Sequence, residues 1–374
     1  MHVFFDDQVF HLQRHGGISR YICGLATALA QHENVSVTLF GSYTTNEPIE
    51  SVLPGERLRK IHLARRDNLR ISKSVKRLSR FWRRWEFLGA RRRHGAVVYH
   101  PSAYEVDSFI HQRAAGTVVM VHDLIDELFG DGSRHNLHSI QNKRQSFQLA
   151  HRLVCNSRST LLDLTRIYPD VAARASVTYI ASDLAPAPLA GETSPTPFFL
   201  VVGNREVYKN GRIALAAFAQ IASAHPLVRL RICGPKLSAE EAALLGPALA
   251  ARVDHPAMDD ATLARSYQTA LALVYPSRYE GFGLPVHEAM KLGCPVITTR
   301  CSSLPEVAGD AALFLEKDSS PAELAVHLTS LLQRPEIYIR LHQLGPQQAS
   351  KFTVERTTVE TLSVYRDMLA SPKS

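Results

Sequence analysis

Two glutamates, Glu280 and Glu288, have seven residues between them, and the stretch opens Gly281-Phe282-Gly283-Leu284-Pro285. Carboxylates accept hydrogen bonds from sugar hydroxyls. Glycines let backbone N–H groups face outward, and a loop entering a helix at its positive end attracts an anion. The chemistry that suits this stretch is the holding of a ligand both hydroxylated and phosphorylated. A second candidate group is Arg205 and Lys209, at the start of a helix expected over 211–223. Two cations oppose the dipole at a helix N-terminus, so their placement calls for an anion that offsets both. His122 follows the apolar run 117–121, and Asp123 beside it is expected to orient the imidazole by accepting its proton. Gly16-Gly17 offers a place where backbone can approach a ligand closely; His11 and His15 read as loop histidines.

Strands and helices must position these groups. Residues 270–275 form a short apolar run stopped by Pro276, the helix expected over 285–292 has Pro285 at its start and Gly293 past its end, and 295–299 is again strand-like: a βαβ unit. Residues 198–202 read as the strand that delivers Asn204, Arg205 and Lys209. Toward the N-terminus, Val3-Phe4-Phe5 reads as a strand, residues 6–15 as a polar loop, and 18–31 as a helix. Strands at 35–40, 96–100, 117–121 and 152–155 follow, alternating with helical patterns, which implies a parallel sheet. Residues 186–197 are rich in proline and small residues and read as a linker, so the expected domains are 1–185 and 198–352, with a last amphipathic helix near 354–369.

At 374 residues and 45% hydrophobic content the chain exceeds the size at which one core keeps growing. It has no apolar run long enough to span a bilayer and no signal-peptide pattern at its start, so a cytoplasmic location is expected. Its five cysteines form no CxxC pair, which fits buried thiols without disulfides or zinc. The net charge of +8 is concentrated. Fifteen Lys or Arg against Asp67 and Glu86 lie between Arg57 and Arg93, so the remainder is net negative by five. That distribution argues against a nucleic-acid sleeve and for a local anionic partner. Within this segment, Leu78, Phe81, Trp82, Trp85 and Leu88 make an apolar stripe with Arg77, Arg80, Arg83 and Arg84 off it; packing on its own domain and contact with an anionic membrane are both open readings.

The run from Glu280 to Glu288 resembles the signature of retaining, nucleotide-sugar-dependent glycosyltransferases of family 4, which have the GT-B fold. The resemblance extends from Gln13-Arg14-His15-Gly16-Gly17-Ile18-Ser19-Arg20-Tyr21 to Ser302-Ser303-Leu304-Pro305-Glu306, and within the family it is closest to bacterial mannosyltransferase-like enzymes of surface polysaccharide assembly, such as O-antigen and lipopolysaccharide. It implies an α/β chain of two Rossmann-like, doubly wound domains facing a cleft, with the last helix returning to the N-terminal domain. It further implies that Glu280 holds sugar hydroxyls and Glu288 the ribose, that His122 lies by the donor sugar, and that Arg205 and Lys209 clamp the diphosphate. Gly16, Gly17, Asn204, Phe282, Gly283 and Leu284 complete the substrate-binding set, and residues 255–259 lie where relatives contact the nucleobase.

Under this reading the leaving group is a nucleoside diphosphate, and the barrier falls mainly by stabilising its charge. The chain has no Asp-x-Asp triplet, and two fixed cations can do the work of Mg²⁺, so neither a metal nor a cofactor is required. The expected reaction moves a hexose, first of all mannose from GDP-mannose, to a glycan or lipid-linked acceptor at the inner face of the membrane. GDP-rhamnose and UDP-hexose donors, or an epimerase or phosphorylase on the same architecture, are the alternatives.

Overall fold

The computed structural model describes residues 1–12, 16–44, 46–65, 73–189, 196–257 and 259–370; Gln13, Arg14, His15 and Met258 lie outside them. The chain divides into two compact units, Met1–Asp183 with Thr353–Ser374, and Leu184–Phe352.

The first unit carries seven strands: β1 (His2–Phe5), β2 (Ser36–Thr44), β3 (Leu58–Arg65), β4 (Val97–His100), β5 (Gly116–Val121), β6 (Arg152–Cys155) and β7 (Ala175–Val177). They form one parallel sheet in the order β3-β2-β1-β4-β5-β6-β7. β4 and β5 are buried along their whole length, as strands covered by helices on both faces must be. Phe4, Phe40, Phe87 and Tyr99 pack one part of the core, and Val119, Phe147 and Leu153 another. β7 extends the sheet beyond the strand at 152–155 that the sequence marks as the last; its three residues are too few to show a period. Residues 6–15 are not all loop, because Gln8–Leu12 is a short helix. The terminal helix Val354–Ala370 belongs to this unit: Tyr365 bonds His100 Nδ1 at 2.6 Å, and Gly116 leaves no room for a Cβ against Met368.

The basic segment folds as helix Lys73–His94, with its apolar stripe turned outward. Phe81 is 63% exposed, Trp85 57% and Leu78 44%, whereas Ser79, Glu86, Phe87 and Ala90 are buried. The inward face is partly polar and is satisfied by ion pairs: Arg83 with Asp7 at 2.8 Å and Asp107 at 3.0 Å, Arg84 with Asp107 at 3.1 Å, and Glu86 with Arg59 at 3.0 Å. The stripe is therefore not core packing, and Arg83 and Arg84 do not belong to an exposed basic face.

The second unit carries β8 (Phe198–Val202), β9 (Arg229–Cys233), β10 (Val253–Asp254), β11 (Ala272–Tyr275), β12 (Val296–Thr299) and β13 (Ala312–Leu315). They form a parallel sheet in the order β10-β9-β8-β11-β12-β13. Phe199, Leu215, Phe218, Ile232, Val274 and Ile297 fill its core. Both sheets run outward in both directions from their first strand, β1 in one and β8 in the other, so each has a switch point where ligands bind beyond the carboxyl ends. In the second unit that point lies between β8 and β11, the two strands that end at Gly203-Asn204-Arg205 and at Pro276–Glu280.

Candidate active site

The chain leaves β8 through Gly203, whose φ of +95° favours glycine. A Cβ on the facing Gly234 would strike Gly203's carbonyl, so the loops after β8 and β9 touch backbone to backbone. A 3₁₀ turn, Val207–Lys209, then leads into helix Gly211–Ile221, shorter than expected by two residues.

The resemblance pairs Arg205 and Lys209 in one clamp; in the structure the two side chains have different partners. Arg205 lies against Glu241, with Nε to Oε1 at 2.7 Å and Nη2 to Oε2 at 2.8 Å, and it donates to the carbonyls of Pro235 and Lys236. Both side chains are under 10% exposed. Glu241 also closes a capping box with Ser238 at the start of helix Ala239–Ala250. Hydrogen bonds from Arg205 hold the Glu241 carboxyl down at about 2. Arg205 is thus a strut between two loops, with its guanidinium already committed. Asn204 donates to Glu206 at 3.2 Å.

Lys209 points elsewhere. Its Nζ lies 3.7 Å from Glu280 Oε1 and 3.4 Å from the Tyr275 hydroxyl, with the rings of Tyr208 and Tyr275 each 5.7 Å away. Glu280 Oε1 also accepts from Tyr275 at 2.7 Å and from Ser277 at 2.8 Å. Two hydroxyl donors and the Lys209 ammonium thus converge on one oxygen, and Oε2 has no protein donor among the described residues. Glu280's backbone is held as well, its N–H donating to Ser302 Oγ at 2.8 Å and its carbonyl accepting from Ser303 Oγ at 2.9 Å. Burial, with Glu280's charge second, pushes the Tyr275 phenol well above its ordinary value, so it stays a donor.

Helix Leu284–Lys291 starts one residue earlier than expected, with Gly283 (φ +94°) at its cap and Pro285 in its first turn. Gly283's carbonyl accepts from Val286 and His287, while Leu284 N–H has no intrahelical acceptor and faces the end of the helix that favours anions. Phe282 is turned inward, edge-on to Phe352 at 5.5 Å, so its side chain serves packing and only its backbone can face a ligand. Glu288 is 4% exposed and accepts from Tyr267 at 3.1 Å, a partner different from those of Glu280.

In the first unit His122 sits at the carboxyl end of β5, its N–H bonded to the Tyr104 hydroxyl at 2.7 Å and its carbonyl to Asn156 at 2.8 Å. Burial lowers the imidazole to about 4, so it is neutral. Asp123 does not orient it: that carboxylate pairs with Lys143 at 3.2 Å, because the buried ammonium is the stronger attraction. Gly17 begins helix Gly17–Gln31 and Gly16 is extended, a conformation open to any residue, so backbone geometry does not itself demand the pair. His11 lies in a helix and bonds Asp7 at 2.9 Å; His15 lies outside the described residues.

Tyr275, Ser277, Ser302 and Ser303 were not singled out by sequence reasoning as supports of Glu280. Their signal was positional: each follows or ends a strand at the edge where ligands bind.

Residues 190–348, which lie within the second unit, match the family model described as Glycosyl transferases group 1. The chain is 39% identical over 107 residues to O-antigen chain mannosyltransferase B of Escherichia coli, covering 29% of this chain and 28% of that one. It is 24% identical over 384 residues to the D-inositol 3-phosphate glycosyltransferase of Streptomyces scabiei, covering 94% and 86%. The match spans 28% and 39% of the length of the first two curated relatives. In fold it is similar to sucrose-phosphate synthase from Thermosynechococcus elongatus, with a TM-score of 0.77 at 20% identity over the whole of both chains. It is also similar to WaaG, a glycosyltransferase involved in lipopolysaccharide biosynthesis, with a TM-score of 0.69 at 15% identity over the whole of both chains. The two Rossmann-like, parallel-sheet domains are thus those of the GT-B class.

Proposed function

We propose that the chain is a retaining, family 4 glycosyltransferase that moves a hexose, first of all mannose from GDP-mannose, to a glycan or lipid-linked acceptor in surface-polysaccharide synthesis. The observation that carries this reading is Glu280 at the switch point of the second unit, where the family match lies, with one oxygen held by Tyr275, Ser277 and Lys209 and the other presented. Oε2 of Glu280 accepts from a donor-sugar hydroxyl. Lys209, released from its 3.7 Å approach to Glu280, meets the departing diphosphate together with the N-terminal end of helix Leu284–Lys291, stabilising charge as it develops. The departing phosphate takes the acceptor's proton as the new glycosidic bond forms on the face the diphosphate leaves. Neutral His122 serves as a hydrogen-bonding partner rather than a cation. Glu288 answers to the ribose, and no metal or cofactor is needed.

Helix Lys73–His94 supplies the second part of the reading. Phe81, Trp82 and Trp85 stand exposed in mutual edge-on contact, beside exposed Arg77, Arg80, Arg91, Arg92 and Arg93. Aromatic rings flanked by arginines suit an anionic membrane surface, where a lipid-linked acceptor would be met. Among the described residues no helix is long and apolar enough to cross a membrane.

The deciding experiment is turnover of a panel of GDP- and UDP-sugars by the purified protein, with and without saccharide acceptors. Acceptor-dependent release of nucleoside diphosphate supports the reading. Failure with every donor, or interconversion of the sugar without release, overturns it.

A further inference from the structure

The stretch after β5 carries His122, and it cannot order itself. From His122 the chain runs through Asp123 and Leu124 into Ile125–Phe129, a helix of five residues, too short to be stable without outside support. One buried cation supplies that support. Lys143, on helix Arg134–Leu149, donates from Nζ to Asp123 Oδ1 at 3.2 Å, to Glu127 Oε2 at 3.2 Å and to the Asp123 carbonyl at 3.4 Å, and lies 3.0 Å from Asp126 Oδ2. An ammonium taken out of water is costly unless close oxygens replace its hydration, and here every oxygen it bonds among the described residues belongs to residues 123–127. Ser139 and Asn136 of the same helix add bonds to Asp126, at 2.7 Å to its carboxylate and at 3.0 Å to its carbonyl. Asp123 Oδ1 in turn accepts from the Ile125 N–H at 3.1 Å, so the ammonium and the start of the short helix share one carboxylate.

The same ammonium reaches His122 from a second side. Its Nζ lies 5.2 Å from the centre of the Tyr104 ring, and the Tyr104 hydroxyl accepts from the N–H of His122 at 2.7 Å and from that of Asp123 at 3.4 Å. The buried His122 imidazole stands edge-on to two rings, Tyr104 at 6.0 Å and Tyr21 at 6.1 Å. Burial pushes both phenols above their ordinary value, so they carry no charge. His100, the other titratable group that faces His122, is held down at about 3 by its own burial and is neutral too. Asp123 and Lys143 are therefore the charges that act on the imidazole. Burial is the main reason it lies at about 4; Asp123 opposes that effect, and Lys143 acts against Asp123. With the ammonium gone, Asp123 would act alone and draw a proton toward the ring.

We infer that Lys143 is a positioning residue for glycosyl transfer: by bonding Asp123, Asp126 and Glu127 and lying against the Tyr104 ring, it fixes the segment that presents His122. The inference rests on the reading that sets His122 beside the donor sugar, and adds the residue that keeps it there. Two variants of the whole protein test it. Lys143→Met keeps the stem and removes the charge; Lys143→Met/Asp126→Asn/Glu127→Gln also removes two of the carboxylates left unpaired, which guards against loss of the fold. Lys143→Arg is the conservative control. The His122 imidazole resonance, identified by its absence in His122→Gln, is followed through a pH titration by NMR without ligand. Its midpoint should rise by about one unit or more in both Met variants and stay near the wild type in Lys143→Arg. With nucleotide sugar and acceptor, kcat should fall roughly 10- to 100-fold in the Met variants while KM for the donor changes less than about twofold, because a small displacement at the reacting centre carries such a factor. Lys143→Arg should recover most of that loss. A His122 midpoint unchanged in the folded variants, a loss confined to KM, or an Arg variant no better than Met overturns the inference. A wild type that turns over no nucleotide sugar overturns the glycosyltransferase reading instead, and the titration still decides whether Lys143 governs His122.

Discussion

The Tyr275 hydroxyl donates to Glu280 Oε1 at 2.7 Å, joining the last residue of β11 to the first glutamate of the loop five residues on. This bond, with that from Ser277, settles which Glu280 oxygen is left to meet a ligand. Removing it with Tyr275→Phe keeps the ring and frees the carboxylate. A hydrogen bond to a charged group contributes about 1.5–3 kcal/mol, so kcat should fall roughly 10- to 100-fold with KM less affected. Steady-state kinetics on the folded variant check this; a fall confined to KM would mean that Tyr275 merely shapes the site.

Glu280→Gln should nearly abolish transfer while nucleoside diphosphate binding persists. Glu288→Ala should chiefly weaken nucleotide binding, because the two carboxylates have different partners. Calorimetry with the nucleoside diphosphate and a transfer assay on both variants separate the roles. The opposite pattern would interchange them.

Arg205→Ala should lower stability more than it alters chemistry. Breaking a buried ion pair from one side costs about 3–5 kcal/mol, because Glu241 is left uncompensated. The pH dependence has a definite sign. Glu241 is held at about 2 in the folded chain against an ordinary 4.5, so the pair's contribution is present above pH 4.5 and fades as pH falls toward 2. The Tm gap between wild type and Glu241→Gln should therefore narrow across that window. A gap that is constant with pH would show that the pair's charge is not what matters.

The product should keep the donor's anomeric configuration, an α-linkage from an α-linked nucleotide sugar. NMR of the purified product reads it directly. An inverted product would require a general base and would remove the chain from the retaining class.

Replacing Arg77, Arg80, Arg91, Arg92 and Arg93 by Gln should release the protein from anionic vesicles in a flotation assay, since each contributes about 1 kcal/mol near such a surface. Arg83 and Arg84 are left in place because Asp7 and Asp107 hold them. Phe81→Ser/Trp85→Ser should weaken the binding that persists at high salt. A wild type that ignores anionic vesicles at low salt ends the membrane reading.

Much of this protein is legible in the chain itself, because local rules govern it. Apolar runs ended by Gly203 and Pro276 marked β8 and β11, a run opened by Pro295 marked β12, Pro285 and Gly293 bracketed a helix of the expected length, and the Glu280–Glu288 spacing carried the resemblance. Short or polar strands such as β3 and β7 escaped, since an edge strand with few buried residues shows little periodicity. Side-chain partnerships were decided only by tertiary structure, because they join residues far apart in the chain. Arg205 and Lys209, four residues apart, look equivalent as charges; Glu241, thirty-six residues on, takes one, and Glu280, seventy-one on, faces the other. Helix Lys73–His94 shows the same limit: its sequence defines two faces, but which one turns inward depended on Asp7 and Asp107, carboxylates placed by β1 and by the segment after β4.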